Sequence, residues 1–492
     1  MAAESYDVIV IGAGFGGSAC AGLLAKEGLR VLLLEKNKQA GGKAMSLSKN
    51  GHTYTAWVVI GAPVEGNLYQ KLLDELEVAD LATLVVPGTQ GSIYKTPEGK
   101  YTMLPEHPDG ETDPNEIFDW LGIPEDQRAE ALQFFVEMTL MPPDKVKEFE
   151  GSSFQSWIKS KSIPGPLYAF LVSLCCDGMF MVPCDTLDAA EAISSLQDMF
   201  LRSGGIFCKG GYGRVAEACC EAVRRYGSSV QMATRTEKIL VENGRVAGIQ
   251  TKDGSTYRAP VVISNAGIQP TVLKLVGEEH FDAGYVQYVK DLVPSYALLG
   301  YRYFLSGPVT DKPYGVVFSD TSPWSTARLE EAARGEGSRE GVLYFEVPAN
   351  YDPDAAPPGK QLLMTGSFCP PDPEMSKEEI QAWADAGEQT LFGAFPELPG
   401  LIESKDLYTT KSVSNATRDA TVPGAGGETI GLGQIVGQCG ASKPSIQAPI
   451  EGLFYVGCDA GGSGVGTQQA IESGINVAAA VATYVAERKA GG

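Results

Sequence analysis

The chain predicts an α/β fold in which a parallel sheet is built, interrupted by a second α+β unit, and then completed. Three observations carry this. A strand, a glycine-rich turn and a helix run from Tyr6 to Lys43. A second strand, acid, glycine run and helix occupy Gly452 to Arg488. Between them lie a helical region and a set of strand-like segments joined by loops rich in Pro, Gly and Asp.

The first stretch is the most specific. Asp7 to Ile11 is a short apolar run, Gly12, Gly14 and Gly17 make G-x-G-x-x-G, and Ser18 to Glu27 reads as a helix. The glycines serve a tight turn, close backbone approach to a pyrophosphate, and close helix–strand packing. An anion would sit at the helix N-terminus, with Phe15 and Gly16 in the turn, where free N–H groups and the macrodipole favour negative charge. The next strand, Val31 to Leu34, ends in Glu35, followed by Lys36; a carboxylate there accepts hydrogen bonds from a ribose hydroxyl and repels a 2′-phosphate. Gly41-Gly42-Lys43 follows, a glycine pair where chain and ligand come close.

Further along, Gly51 to Ala62 alternates as a strand and Asn67 to Leu76 reads as a helix. Short strands between Leu84 and Leu104, broken by Gly-Thr-Gln-Gly and Pro-Glu-Gly, read as antiparallel hairpins. Asp113 to Met199 is mainly helical, with apolar clusters at Phe134 to Val136, Leu167 to Leu174 and Met179 to Val182 that form a core or wall an apolar pocket. Gly211 to Ala216 fits G-x-G-x-x-A, but only Ile206 to Cys208 precedes it, and the following strand, Val230 to Ala233, runs into Thr234-Arg235 rather than an acid. It is therefore not read as a second dinucleotide site. Lys238 to Gln250 is a hairpin turning at Asn243-Gly244, and Ala259 to Ser264 is a buried strand. Strands follow at 297–305, 314–319, 342–347 and 362–367, then a helix from Ser376 to Phe395 opened by a Ser376/Glu379 capping box. Gly424 to Gly440 reads as an ordered loop near a ligand.

Gly452 to Asp459 is a buried strand ending in an acid, and the glycine run to Gly466 presents a second helix N-terminus at Thr467 and Gln468. NAD has no use for a second such end several hundred residues from the first. FAD has one, because it lies extended: Asp459 would face its ribityl side, and the helix N-terminus would stabilise charge on the reduced ring.

With these residues in place the chain resembles the phytoene desaturase, carotenoid isomerase and retinol saturase group of flavoproteins, which are related to the flavin amine oxidases. The resemblance rests on 7–42, 204–267 and 452–474, with Asp459, Gly464, Gly466 and Ser473-Gly474 at matching offsets. It implies an FAD-binding Rossmann-like domain of the glutathione reductase type from 1–83, 205–290 and 448–492. A substrate domain with an antiparallel sheet and helical cap would come from 84–204 and 291–447. It further implies that a C=C bond in a hydrophobic substrate is formed, reduced or isomerised by hydride transfer to or from flavin N5. The expected cofactor contacts are Gly12, Gly14, Phe15, Gly16, Gly17, Glu35, Lys36, Gly42, Lys43, Asp459, Gly466, Thr467 and Gln468. Three positions depart from the family pattern: Lys43 stands for an Arg, Tyr54 to Trp57 for a Phe-Asp-x-Gly, and Gln468 for a Pro. Trp57 in place of glycine would reshape the flavin face.

Candidate chemistry beyond the cofactor is sparse. Of three histidines, His107 and His280 read as surface residues, while His52 precedes Tyr54 and Trp57 and is grouped with them as a candidate for the flavin region. A flavin amine oxidase and a prenyl or lipid carrier on the same fold stand as alternatives. The formal charge of −22 argues against nucleic acid as a partner, the ten cysteines contain no C-x-x-C and suit a reducing cytoplasm, and no apolar run is long enough to span a bilayer, although peripheral membrane contact remains open. The electron partner is expected to be a quinone, oxygen or a redox protein.

Overall fold

The computed structural model describes residues 5–57, 64–87, 90–105, 113–202 and 205–491. Its base is a five-stranded parallel sheet with β1 (Val8–Ile11) at the centre. On one side β1 pairs with β2 (Val31–Leu34), which pairs with Ser229–Gln231; on the other it pairs with Val261–Ser264, which pairs with Leu453–Tyr455. β1 and β2 are buried throughout, as strands covered on both faces must be, which explains their uninterrupted apolar sequence.

One face of this sheet is covered by α1 (Phe15–Lys26), the helix Gly213–Arg225 and the C-terminal helix Gly466–Gly491. α1 can be buried from Phe15 to Ala25 because it is made largely of Gly, Ala, Ser and Cys. The C-terminal helix comes so close that a Cβ on Gly474 would lie 2.9 Å from the Ala19 Cβ. The other face packs against a three-stranded antiparallel sheet, Thr236–Glu242, Arg245–Thr251 and Thr256–Arg258. Its first turn holds Asn243 and Gly244 at φ 54° and 76°, the two positive angles a type I′ turn demands.

A seven-stranded sheet forms the second layer system, ordered Ile402–Tyr408, Ala297–Leu305, Gln361–Cys369, Leu343–Glu346, Tyr314–Ser319, Gly91–Lys95 and Tyr101–Met103. It is antiparallel apart from the parallel pair Tyr314–Ser319 with Gly91–Lys95. Helices between Pro114 and Leu201 pack on it around the largest core cluster, and a π-helical turn, Ser173–Phe180, lies within them. The Ser376/Glu379 capping box forms as expected, with reciprocal bonds of 2.8 and 3.2 Å.

Several local expectations are corrected. Leu84–Val85 pairs with Phe207–Cys208, not with its sequence neighbours. The strand expected from Gly51 spans only His52–Thr55, and 58–63 lies outside the described residues. Ile402–Tyr408 was not anticipated: it is an edge strand whose Glu403, Ser404 and Lys405 face solvent, so its apolar signal is weak. Among the described residues no helix is long and apolar enough to cross a membrane.

Candidate functional site

A cavity of about 1040 Å³ opens where the two sheets meet. That exceeds the range of roughly 300–1,000 Å³ usual for a single small ligand. The cavity begins at the α1 N-terminus, where Gly14 is the N-cap with no side-chain cap and no acid occupies the first turn. Both features leave an anion-favouring helix end open. The third glycine of the motif has another job: a Cβ on Gly17 would run into the Gly12 carbonyl oxygen, so this residue sets helix–strand contact and does not line the cavity. The other twelve expected cofactor residues all line it.

The Asn265 side chain sits where four glycines converge. Cβ atoms built on Gly14, Gly17 and Gly457 would lie 2.7, 3.1 and 2.5 Å from its amide atoms, and one on Gly12 would lie 3.4 Å from its Cβ. No motif singled it out in sequence, since its neighbours come from residues 12–17 and 457.

Glu35 is 5 % exposed. Its Oε2 accepts from the Ala13 N–H and its Oε1 from the Asn37 N–H, both at 2.8 Å, which holds the carboxylate beside the glycine loop with lone pairs to spare. Burial pushes its carboxyl up, against the pull of those two N–H groups and of Lys36. Lys36 lies 3.8 Å from Asp419, a second carboxylate that Arg235 and Lys274 also engage.

Asp459 occupies the cavity wall, but differently from expectation. Its oxygens accept from the Ile268 and Leu432 N–H groups at 2.9 and 3.0 Å and from both terminal nitrogens of Arg418 at 3.1 and 3.0 Å. With four protein donors in place, its role is to hold Arg418 and the loop around Leu432. Arg418 in turn meets Glu428 at 3.0 Å, and Lys43 lies 3.5 Å from the same carboxylate while donating to the Ile430 carbonyl at 2.8 Å. Burial drives the Lys43 ammonium down, and Glu428 opposes it. Glu428 comes from the glycine-rich stretch 424–440, which gave no signal beyond nearness to a ligand, and Arg418 precedes that stretch in a segment without a motif.

The three residues proposed for chemistry separate. His52 and Tyr54 project from the same face of their strand and pack edge-on against Phe304, with ring centroids 5.2 and 6.5 Å away. Neither lines the cavity, so their assignment to the flavin region is corrected. The cause is the period-2 alternation of the strand, which aims both at the seven-stranded sheet. Trp57, beyond the strand end, does line the cavity, and its buried indole N–H has no hydrogen-bond partner. His280 sits in an exposed 3₁₀ turn, and His107 lies outside the described residues. The second glycine motif is a packing contact: a Cβ on Gly211 would lie 2.6 Å from the Ser46 hydroxyl, and the motif's glycines do not line the cavity.

Beside the α1 N-terminus, with a Cβ on Gly16 only 3.0 Å from the Ala470 carbonyl oxygen, the C-terminal helix begins at Gly466 with no acid in its first turn. Gln468 accepts from the Leu68 N–H at 3.1 Å, and the Thr467 hydroxyl meets that of Tyr69. Beyond this helix end the wall turns apolar, with Leu174, Met179, Met181, Leu298, Val316 and Val465. Two neighbouring helix ends, a ribose-type carboxylate and an orphan indole donor suit an extended dinucleotide that ends beside an apolar chamber. FAD fits these residues.

Comparison with known proteins agrees. The family model for flavin containing amine oxidoreductases matches residues 15–482. The chain is 23 % identical over 414 residues to the chloroplastic prolycopene isomerase of Daucus carota, covering 73 % of this chain and 61 % of that protein. It is 23 % identical over 517 residues to the all-trans-retinol 13,14-reductase of Homo sapiens, covering 93 % and 82 %. A solved oxidoreductase from Methanosarcina mazei shares the fold with a TM-score of 0.69 at 22 % identity, over 96 % of this chain and 99 % of that one. The chain belongs to the flavin containing amine oxidoreductase family and is an FAD-dependent oxidoreductase.

Proposed function

We propose that this enzyme moves hydrogen at a C=C bond of an apolar substrate of carotenoid or retinoid type. The observation that carries the reading is the continuity of one large cavity from the two helix N-termini into an apolar chamber. FAD, when bound, supplies the acceptor or donor of a hydride. The chain's own residues bind and orient. The α1 N-terminus and its glycine loop would hold the pyrophosphate, Glu35 the ribose, and the N-terminus of the C-terminal helix the ring's negative edge. Leu174, Met179, Met181 and Leu298 would hold the substrate by apolar contact and exclude water, and the unbranched methionines adapt to an irregular hydrocarbon. Trp57 narrows the chamber. Lys43 and Arg418 are locked to Glu428 and Asp459, which keeps the loop at Ile430 against the cavity.

The similarity to a prolycopene isomerase and a retinol reductase supports this substrate class. No second nucleotide site is proposed, so electrons would be exchanged with a quinone, oxygen or a redox protein. The test is anaerobic incubation of the yellow protein with prolycopene, phytoene or retinol, in oxidised and reduced forms, with products separated by chromatography. A shift in double-bond number or geometry is expected with at least one probe. Oxidation of an amine in place of any change in the polyenes would overturn the reading.

A further inference from the structure

The cap helix Ala189–Leu201 buries Ala189, Ala192, Ile193 and Leu196 in the core and turns Glu191, Ser194, Ser195 and Asp198 to the cavity. These polar positions follow the i, i+3, i+4, i+7 spacing of a single helix face. Toward the helix C-terminus, Asp198 is paired with Arg202 at 2.8 Å, and both are well exposed. Glu191 differs. Among the described residues it has no ion-pair partner, and its carboxylate accepts one hydrogen bond, from the Gly464 N–H at 3.2 Å. Gly464 stands two residues before the start of the C-terminal helix, so this carboxyl lies where the anion-favouring helix end meets the apolar chamber.

The charged and titratable groups around it are Lys443, Asp188, Glu150 and Cys439, with Glu472 nearby on the cavity wall. Asp188 is committed to capping, accepting from Ala190 and Gly151, and Lys443 is tied to the Gln434 side chain at 3.0 Å. Glu472 is held by Ser463. Glu150 also lines the cavity but is exposed, which leaves Glu191 as the half-buried carboxyl of this group that accepts a single hydrogen bond. Burial pushes its carboxyl up, against the pull of Lys443 and of the Gly464 N–H.

We propose that Glu191 is the acid–base group of the reaction, exchanging one proton with a substrate carbon. This rests on the function proposed above. In desaturation one carbon gives its hydrogen with the bonding electron pair to FAD, and its neighbour gives a proton to the Glu191 carboxylate. The electron pair left behind becomes the new π bond, and Glu191 ends as the neutral acid. In saturation Glu191 returns that proton while reduced FAD supplies the hydride.

A merely structural Glu191 would only tie down Gly464, and glutamine does that equally well. The test therefore follows the midpoint potential of FAD in the holoenzyme between about pH 5 and 9. If Glu191 gains a proton as the flavin is reduced, the potential falls by about 30 mV more per pH unit over part of the range, the two-electron equivalent of a tenfold change. Glu191→Gln should remove that extra slope while retaining FAD, and should slow turnover of whichever polyene reacts by about 10²- to 10⁴-fold. Glu191→Asp should keep the slope and recover part of the rate, and it substitutes if the glutamine variant does not fold. A yellow Glu191→Gln protein with the wild-type slope would overturn the proposal and leave the function standing. A wild-type protein that binds no FAD would overturn the function, and this proposal with it.

Discussion

The Arg418 guanidinium donates to both carboxylate oxygens of Asp459, at 3.1 and 3.0 Å, and both side chains are buried. Removing Arg418 leaves Asp459 buried without its cation, and removing the Asp459 charge leaves Arg418 with Glu428 as its one remaining ion-pair partner among the described residues. Arg418→Met or Asp459→Asn is expected to cost about 3–5 kcal/mol of stability at neutral pH, measured by denaturant titration, and to lower flavin retention. Burial pushes the Asp459 carboxyl up, but Arg418 and the two backbone donors outweigh it and hold it low. A carboxyl depressed in the folded state stabilises above its unfolded value near 4, and that contribution is lost as pH falls through the lower folded value. The wild type should therefore lose more stability than Asp459→Asn on acidification below about pH 4. Parallel profiles would show that the pair contributes nothing.

Glu35 holds two backbone N–H groups of the loops that surround it. Glu35→Ala leaves both without their acceptor and is expected to weaken FAD binding by about 1–3 kcal/mol, roughly 5- to 150-fold. Glu35→Arg should weaken it further by adding a buried unpaired cation. Flavin released per protein on ultrafiltration measures both. Stoichiometric retention by each variant would remove Glu35 from the site.

Gly17 shapes the loop without touching the cavity. Gly17→Ala should therefore act on folding, lowering the melting temperature of the apo protein as overpacking costs of about 1–3 kcal/mol require. An unchanged Tm with reduced FAD affinity would instead make Gly17 a ligand contact.

Trp57 and its two strand neighbours divide by direction. Tyr54→Phe is expected to leave flavin content and polyene turnover within about twofold, well under 1 kcal/mol. Trp57→Phe, which keeps the ring but removes the orphan N–H and narrows the side chain, should alter which polyene is accepted and change kcat/KM by about tenfold, a shift near 1.4 kcal/mol. Product analysis across prolycopene, phytoene and retinol separates the two. A large loss in Tyr54→Phe would return that residue to the site.

Much of the frame was legible because its signals are local. The β1–α1–β2 stretch, the Asn243-Gly244 turn and the Ser376/Glu379 capping box each complete their chemistry within a few residues. Glu191 had no such signal: a glutamate at the start of a helix is ordinary, and its standing depends on Gly464, which approaches from 273 residues away. Asn265 and Arg418 were silent for the same reason.

By itself, the sequence determined that one end of the chain builds a dinucleotide loop, that the other presents a helix end beside an acid, and that an apolar helical region lies between them. Contiguous backbone patterns carry that information, because hydrogen bonding within a turn or along a helix needs no distant partner. Tertiary structure alone decided which side chains face the cavity. Asp459 turned from ligand to anchor once Arg418 reached it, and His52 and Tyr54 turned away once Phe304 lay beneath them. Burial makes each choice costly to reverse, since a buried charge needs its partner and a buried ring needs its contacts.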